Sequence, residues 1–150
     1  MRALIQRVNS ATVHIEGQLF SSIDGGLLVF VGFEAADTAE DLAYIARKLT
    51  RMRIFPDTEG AMNLSIKERN GGFLVISQFT LHAQTKKGNR PSFYYAASPS
   101  IAIPLYEQFL DLLWNVSGLP VKSGQFGADM QVGLVNDGPV TLWIDSKAKV

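Results

Sequence analysis

The stretch Leu27-Leu28-Val29-Phe30-Val31 decides the fold, because it is apolar at every position. A strand with one face in water alternates apolar and polar residues, whereas a strand covered on both faces is apolar throughout. Phe73-Leu74-Val75-Ile76 repeats this pattern later in the chain. The two stretches therefore predict core strands that are buried on both faces.

The segments around these two stretches predict further strands. Residues 2–15 alternate loosely between apolar and polar side chains, and Glu16-Gly17-Gln18 is typical of a turn into a return strand over residues 19–23. A short extended piece over residues 53–55 stops at a proline. Near the end of the chain, residues 132–135 and 140–144 predict two strands on either side of a Gly-Pro corner.

Two stretches predict helices. Asp37 followed by Glu40 matches a capping box, and four apolar residues at helical spacing follow it, so a helix should begin here and end near Met52. A second helix is expected over residues 103–116, with Pro104 in its first turn, where the missing N–H costs little. Many strands with two main helices predict a compact, mostly antiparallel α+β fold.

Composition sets limits on function. A chain of 150 residues, 47% of them apolar and 19% charged, predicts one globular domain over residues 1–150. Its formal net charge of zero argues against a protein that coats long stretches of duplex, although a few local cations suffice to hold the end of a nucleic acid. Early polar residues and the lack of a long apolar run predict a soluble, cytoplasmic protein without membrane contact.

The residue inventory excludes several kinds of site. The sequence contains no cysteine, so thiol catalysis, disulfides and thiolate metal sites are absent. It contains two histidines, and they are too far apart for the His-x-x-x-His pair of a catalytic zinc site. No paired carboxylates stand at a spacing that indicates glycoside hydrolysis. We therefore expect neither a metal nor a cofactor.

Ser77-Gln78-Phe79-Thr80-Leu81 places polar groups where a core strand ends. In an extended chain Thr80 and His82 share one face, and Phe79 lies on the other as a core anchor. Thr80 could position or attack an ester, or could serve only as a strand former. Same-face neighbours on one strand lie about 6.5–7 Å apart at Cα, which makes a Thr80–His82 pair marginal. A solvent-facing His82 is therefore the favoured interpretation.

Three other stretches are candidates for a site. Glycine before proline in Gly138-Pro139 lets a carbonyl approach a ligand closely, although a simple turn needs no function. The loop that carries Lys86, Lys87 and Arg90 could contact phosphates, or could be only a solvated loop. Gly124-Gln125-Phe126-Gly127 lacks the lysine of a phosphate-binding loop, and Phe126 is instead a candidate for lining a pocket.

These pieces occur together in a known family. The chain resembles the D-aminoacyl-tRNA deacylases from end to end. The matching stretches are Ala3-Leu4-Ile5-Gln6-Arg7-Val8, Arg53-Ile54-Phe55, Met62-Asn63-Leu64-Ser65, Ser77-Gln78-Phe79-Thr80-Leu81, Lys87-Gly88-Asn89-Arg90-Pro91-Ser92-Phe93, Phe126-Gly127-Ala128-Asp129-Met130 and Asn136-Asp137-Gly138-Pro139-Val140-Thr141. Each stretch is short, and their shared order carries the resemblance.

The resemblance implies a barrel-like fold and a homodimer with active sites at the subunit interface. It implies that the Gly138-Pro139 bond is cis, enters the partner's pocket and is held in place by Arg7. The substrate would be the 3′ acceptor end of D-aminoacyl-tRNA, and glycyl-tRNA mischarged on tRNA-Ala would also be accepted. The scissile ester would lie at Ser77, Gln78, Phe79 and Thr80. Further contacts to the pocket or to tRNA would come from Phe126, Met130, Lys86, Lys87 and Arg90.

The chemistry of such a site follows from the substrate. Backbone N–H groups near Phe79 and Thr80 could stabilise the oxyanion. The nucleophile could be Thr80, or water aided by the neighbouring ribose 2′-hydroxyl, and water is favoured because no convincing base for the Thr80 hydroxyl is evident. Rigid carbonyls of Gly138 and Pro139 would reject L side chains by steric clash. Two alternatives remain open: a non-catalytic dimeric module that binds RNA ends, and a related deacylase with altered chirality preference.

Overall fold

The computed structural model describes residues 1–149. Three helices and a 3-10 turn interrupt the eight strands along these residues. The elements are β1 (Arg2–Ile15), β2 (Gln18–Ile23), β3 (Gly26–Gly32), α1 (Ala39–Arg51), β4 (Phe55–Pro56), β5 (Met62–Leu64), α2 (Ile66–Arg69), β6 (Gly72–Ser77), a 3-10 turn (Phe79–His82), α3 (Pro99–Ser117), β7 (Val121–Ser123) and β8 (Gln131–Asp145). No helix of the described residues combines the length and apolar character needed to cross a bilayer.

One mixed sheet dominates the fold and nearly closes into a barrel. Its strands follow the order β2-β1-β3-β6-β7, and β8 pairs with β1. The pairs formed by β1 are antiparallel, whereas β3–β6 and β6–β7 are parallel. The two ends of the path meet where the Ser21 hydroxyl donates to the Ser123 carbonyl at 2.7 Å. The predicted barrel-like α+β fold is confirmed, and the parallel pairs are an addition to it.

The two apolar strands separate two hydrophobic cores. Leu27 and Val29 of β3 pack with the helices α1 and α3, whereas Leu28 packs inside the barrel against Leu74 of β6. Successive side chains point to opposite faces of a strand, so a strand between two cores must be apolar at every position. Burial on both faces is confirmed for both stretches.

The helix boundaries differ from those predicted. Helix α1 begins one residue later, because Thr38 and Asp41 form the capping box. Asp37 is buried instead, and its carboxylate accepts hydrogen bonds from the Met1 ammonium group and from the Glu34 amide. Helix α3 begins at Pro99 rather than near residue 103, so Pro104 lies inside the helix and not in its first turn.

Two other segments also differ. Residues 66–69 form a short capped helix, α2, in addition to the two predicted helices. The two strands predicted around the Gly-Pro corner are a single strand, β8, which continues through it. The corner is a bulge within β8, and this bulge matters for the site.

Candidate active site

A sharp turn follows β6 and exposes the residues of the Ser77 motif. The Gln78 amide still donates to the Val31 carbonyl at 2.7 Å, and the chain then enters the 3-10 turn. This turn packs on Gly32, where an added Cβ would lie 2.8 Å from the Gln78 carbonyl oxygen and 3.2 Å from Leu81 Cβ. Only glycine at residue 32 lets the turn approach β3 so closely.

The turn changes the directions of the side chains. Phe79 is 54% exposed, and its ring contacts the Phe93 ring edge-to-face with centroids 5.0 Å apart. The Thr80 hydroxyl accepts a hydrogen bond from the Gln78 side-chain amide. The prediction that Phe79 anchors the core is therefore wrong, because the alternation of a strand stops at Ser77.

His82 lies inside the protein. It is 2% exposed, and its Nε2 has no hydrogen-bond partner among the described residues. Burial lowers the pKa of His82, and a hydrogen bond to the Gly32 backbone opposes this only in part. The prediction of a solvent-facing histidine is wrong. The Thr80 hydroxyl pairs with Gln78, and no hydrogen bond joins it to His82 within residues 1–149.

Two cavities lie against Phe79, with volumes of about 390 Å³ and 330 Å³. Ser77, Phe79, Phe126 and Gly127 line both of them, so the two cavities form one groove that we call the Phe79 groove. Its larger part continues over Phe33, Phe93 and Ala102. Its smaller part is completed by Gln78, Asp129 and Met130. The groove thus brings together five candidates from two distant motifs: Ser77, Gln78, Phe79, Phe126 and Met130.

The Gly-Pro motif forms a bulge in β8. Gln6 pairs with Thr141 and Val8 with Asn136, so residues 137–140 stand opposite Arg7 alone. The Gly138-Pro139 peptide bond is cis, and Gly138 has a φ of 143°. A Cβ at Gly138 would lie 2.9 Å from Val140 Cγ2 and 3.1 Å from Arg7 Nη2. Both the backbone conformation and the lack of space require glycine here.

Arg7 holds the base of the bulge. Its Nε donates to the Asp137 carbonyl at 2.9 Å and lies 3.3 Å from the Asp137 carboxylate, and Nη1 donates to the Ile54 carbonyl. Arg7 is only 7% exposed, so its charge depends on these partners. The contact with Ile54 joins the bulge to the segment that follows α1. Sequence reasoning missed this contact, since a carbonyl acceptor leaves no signal in residue types.

Asn136 closes the bulge from the other side. Its side-chain oxygen accepts from the Val140 amide at 2.8 Å, and its Nδ2 donates to the Val140 carbonyl at 3.2 Å and to the Thr141 hydroxyl at 3.1 Å. One amide side chain therefore bridges the two ends of the bulge. Asn136 was not among the predicted site residues, although its place at the start of the motif was visible.

Within one chain the bulge and the turn lie apart. Arg7 contacts the bulge, whereas Arg2 Nη1 donates to the Leu81 carbonyl in the turn at 2.9 Å. Five residues of β1 at about 3.4 Å each separate the two arginines by roughly 17 Å. The Phe79 groove contains neither Gly138 nor Pro139. The structure thus brings Arg7 to the Gly-Pro motif, but does not bring that motif to Thr80 in the same chain.

The predicted basic residues lie on a separate exposed hairpin. Gln84 and Ser92 pair across it, and Lys86, Lys87 and Arg90 are exposed on its loop. None of these three cations forms an ion pair within residues 1–149. The same described residues contain no group of histidine and carboxylate side chains suited to holding a metal ion.

A family model described as D-Tyr-tRNA(Tyr) deacylase matches residues 4–145. The chain belongs to this deacylase family. A "D-aminoacyl-tRNA deacylase" of Akkermansia muciniphila is 55% identical over 149 residues, which cover 99% of each chain. A protein of Chlorobaculum parvum with the same description is 54% identical, covering 99% of this chain and all of the relative. The resemblance noted in the sequence is confirmed.

Solved structures agree with the deacylase fold. A structure described as "c-Myc DNA Unwinding Element Binding Protein" superposes with a TM-score of 0.93 at 38% identity, covering 99% of this chain and 100% of that one. A "probable eukaryotic D-amino acid tRNA deacylase" superposes with a TM-score of 0.80 at 18% identity, covering 95% and 97%. At that identity, the second similarity concerns the fold alone.

Proposed function

We propose that this protein hydrolyses the ester that joins a D-amino acid to the 3′ end of tRNA. The observation that carries the proposal is family membership over nearly the whole chain, together with a groove formed by the family motifs around Phe79. The groove combines an exposed aromatic ring, an open volume and backbone groups at the end of β6. These features suit an adenosine ester better than a long duplex.

The backbone of the turn supplies the catalytic stabilisation in this proposal. Phe79 and Thr80 contribute the first N–H groups of the 3-10 turn, and neither donates to another backbone group of residues 1–149. Two such donors pointed at the ester would stabilise the oxyanion, an effect of about 3–4 kcal/mol for one donor in measured cases. Water is the proposed nucleophile, since the Thr80 hydroxyl oxygen accepts a hydrogen bond from the Gln78 amide, and an amide N–H donor cannot act as its base.

Selection of the D form belongs to the Gly-Pro bulge of a second copy. Within one chain the Phe79 groove contains neither Gly138 nor Pro139, and the arginines that contact the turn and the bulge stand roughly 17 Å apart along β1, so one aminoacyl group would not contact both. In a homodimer the bulge of one subunit would enter the Phe79 groove of its partner. The Gly138 and Pro139 carbonyls would then accept the substrate's amino group and exclude an L side chain. Glycine has no side chain to exclude, so glycyl-tRNA, including tRNA-Ala charged with glycine, is a further substrate in this proposal.

Binding is confined to the acceptor end of tRNA in this proposal. Holding only this end requires no excess of positive charge over the whole chain, and Lys86, Lys87 and Arg90 are available for local phosphates. The proposed compartment is the cytoplasm, where the substrate would be met.

The test is deacylation of matched D- and L-aminoacyl-tRNA, each measured with and without a chelator. The proposal expects rapid hydrolysis of the D form, little hydrolysis of the L form and no effect of the chelator. No turnover of the D form would overturn the assigned activity. Equal rates on the two forms would leave a hydrolase but remove the proposed selection by the bulge.

Binding without turnover is the second candidate. The unpaired cations of the hairpin favour it, and the solved relative at 38% identity is described as a DNA-binding protein. This candidate expects salt-sensitive binding of uncharged tRNA or of single-stranded DNA, with no release of the amino acid from D-aminoacyl-tRNA. The same preparation of protein can be used for both measurements.

A further inference from the structure

Two exposed tyrosines follow the groove residue Phe93 in the chain. Tyr94 is 84% exposed and Tyr95 is 57% exposed, and their rings meet edge-to-face with centroids 5.4 Å apart. They follow Phe93 in the chain, and Phe93 contacts Phe79 at the groove. The two aromatic pairs are thus neighbours in the chain, and Tyr95 also lines a separate cavity with Arg2, Glu34, His82, Ala83 and Gln84. Two neighbouring aromatic rings this exposed are typical of a binding surface.

The same hairpin carries positive charge without compensation. Gln84 and Ser92 close it by two backbone hydrogen bonds of 2.8 Å and 3.0 Å. Lys86, Lys87 and Arg90 lie on its loop, and the sequence has no acidic residue between Glu68 and Glu107. The hairpin thus presents cations on its loop and aromatic rings just after it, although the whole chain is neutral.

This combination fits an unpaired polynucleotide. Bases of a single strand stack on aromatic side chains whatever their sequence, while cations beside the rings follow the phosphates. In a duplex the base faces are stacked on one another, so exposed aromatic rings would find no base face to stack on. Glu34 and Arg2 both line the cavity beside Tyr95, so the uncompensated positive charge that a nucleic acid needs is that of the loop cations.

We propose that Tyr94 and Tyr95 form a stacking surface for the unpaired nucleotides that precede the terminal adenosine of the tRNA 3′ end. Lys86, Lys87 and Arg90 contact the phosphates of the same nucleotides. This inference rests on the proposed deacylase function, because the groove must hold the aminoacylated adenosine for the preceding nucleotides to reach the hairpin. The hairpin thereby separates recognition of the RNA strand from recognition of the amino acid.

The experiment compares two substrates that share one ester. Native protein and the Tyr94→Ala/Tyr95→Ala variant are assayed on D-tyrosyl-tRNA and on 3′-O-D-tyrosyl adenosine, which lacks the preceding nucleotides. The variant should raise KM for the tRNA substrate about tenfold, with kcat within about twofold, because loss of a stacked base weakens binding and not chemistry. Hydrolysis of the adenosine ester should be unchanged, which also shows that the variant is folded.

The matched control keeps the rings. Tyr94→Phe/Tyr95→Phe should behave as the native protein on both substrates, because stacking needs the ring and not the hydroxyl. In a second arm, Lys86→Ala/Lys87→Ala should reduce the slope of log KM against log salt concentration for the tRNA by about 0.7 for each cation. The slope for the adenosine ester should not change.

The outcomes separate this inference from the proposed function. If native protein hydrolyses both substrates and the alanine variant is unchanged on tRNA, the stacking surface is refuted while the deacylase stands. An equal loss on tRNA and on the adenosine ester refutes it too, because the tyrosines would then belong to the groove itself. If native protein hydrolyses neither substrate, the proposed function has failed, and this inference falls with it.

Discussion

The turn after β6 and the bulge in β8 are both interruptions of a strand, and they are built in opposite ways. The turn leaves its Phe79 ring and its first N–H groups open, and its hydroxyl bonds only within the turn. The bulge is held on both sides by side chains, Arg7 at its base and Asn136 across its ends. An open surface that can receive a ligand thus contrasts with a rigid projection that can exclude one.

Glycine serves a different purpose in each region. Gly32 lies beneath the turn, where the absence of a side chain allows close packing from below. Gly138 lies inside the bulge, where a φ of 143° and contacts from Val140 and Arg7 leave no alternative. Substitutions in the bulge should therefore change geometry as well as contacts, whereas substitutions on the open turn should change contacts alone.

The largest expected effect comes from Gly138→Ala. The added methyl group would lie 2.9 Å from Val140 Cγ2, and the backbone conformation would be strained by about 1–3 kcal/mol. A displacement of the bulge by about 1 Å should reduce kcat/KM for D-aminoacyl-tRNA by about 100-fold and weaken rejection of the L form. The measurement is the matched D and L deacylation assay with urea unfolding.

Gly60→Ala is the control for strain alone. Gly60 also has a positive φ, of 85°, but an added Cβ there would meet nothing within 4 Å. This variant should lose stability and keep both activity and selectivity. Full D activity with intact L rejection in Gly138→Ala would show that the bulge is not the selecting element.

Asn136→Ala should have the next largest effect. Three hydrogen bonds across the bulge would be lost, which predicts a free energy of unfolding lower by about 1–3 kcal/mol. A looser bulge should reduce kcat/KM about tenfold, equivalent to about 1.4 kcal/mol of transition-state stabilisation. Asn136→Asp keeps the acceptor for the Val140 amide, so it should retain part of the stability and part of the activity. Native activity in the alanine variant would mean that the bulge is rigid without this side chain.

Thr80→Ala tests the open side of the comparison. The hydroxyl bonds only to Gln78, so its loss should change the free energy of unfolding by about 0.5–1.5 kcal/mol at most. If water attacks the ester, activity should fall less than about tenfold. Single-turnover deacylation measures this, with Thr80→Ser as the matched variant. A complete loss of activity in a folded Thr80→Ala protein, restored by serine, would identify the hydroxyl as the nucleophile.

His82 gives the smallest predicted effect, which is on the pH dependence of stability. Burial lowers the pKa of His82 in the folded state below the value near 6.5 of an unfolded histidine. The unfolded chain therefore takes up a proton first as the pH falls. Stability that is present above about pH 6.5 should be lost progressively as the pH falls below it.

Urea unfolding at several pH values between 7 and 5.5 measures how the free energy of unfolding changes with pH. His82→Gln replaces the titrating ring with a neutral polar side chain, and His82→Leu replaces it with an apolar one. Both should show a flatter dependence than the native protein over this range, whatever their absolute stability. An unchanged slope in both variants would mean that the buried ring does not contribute to it.

The fold was predictable wherever burial leaves a pattern in residue types. The unbroken apolar runs of β3 and β6 identified the strands between the two cores, and the stripe of α1 identified a helix. The exact start of α1 was missed because Asp37 and Thr38 both satisfy the preference for a cap. Tertiary contact with the Met1 ammonium group decided between them, and the sequence does not show such contacts.

The residues of the candidate site could be proposed from motifs, but the directions of their side chains could not. Ser77 to Thr80 and Gly138-Pro139 were identified by motif, yet period-two reasoning assigned Phe79 to the core and His82 to solvent. Both assignments fail for one reason, since the strand ends at Ser77 and a 3-10 turn begins. The supports of the bulge from Asn136 and the Ile54 carbonyl needed the register of β1 with β8, which a single sequence does not provide.

The pairing of β1 with β8 also has a consequence for how the protein forms. Arg7 meets Asp137 only after more than a hundred intervening residues have been synthesised, so this contact is among the most non-local in the molecule. Non-local pairings form slowly, because the entropy of closing a long loop must be overcome first. During synthesis the Ile54 carbonyl is available to the Arg7 guanidinium early, whereas the Asp137 carbonyl follows much later. The element proposed to distinguish D from L therefore depends on one of the least local contacts of the chain.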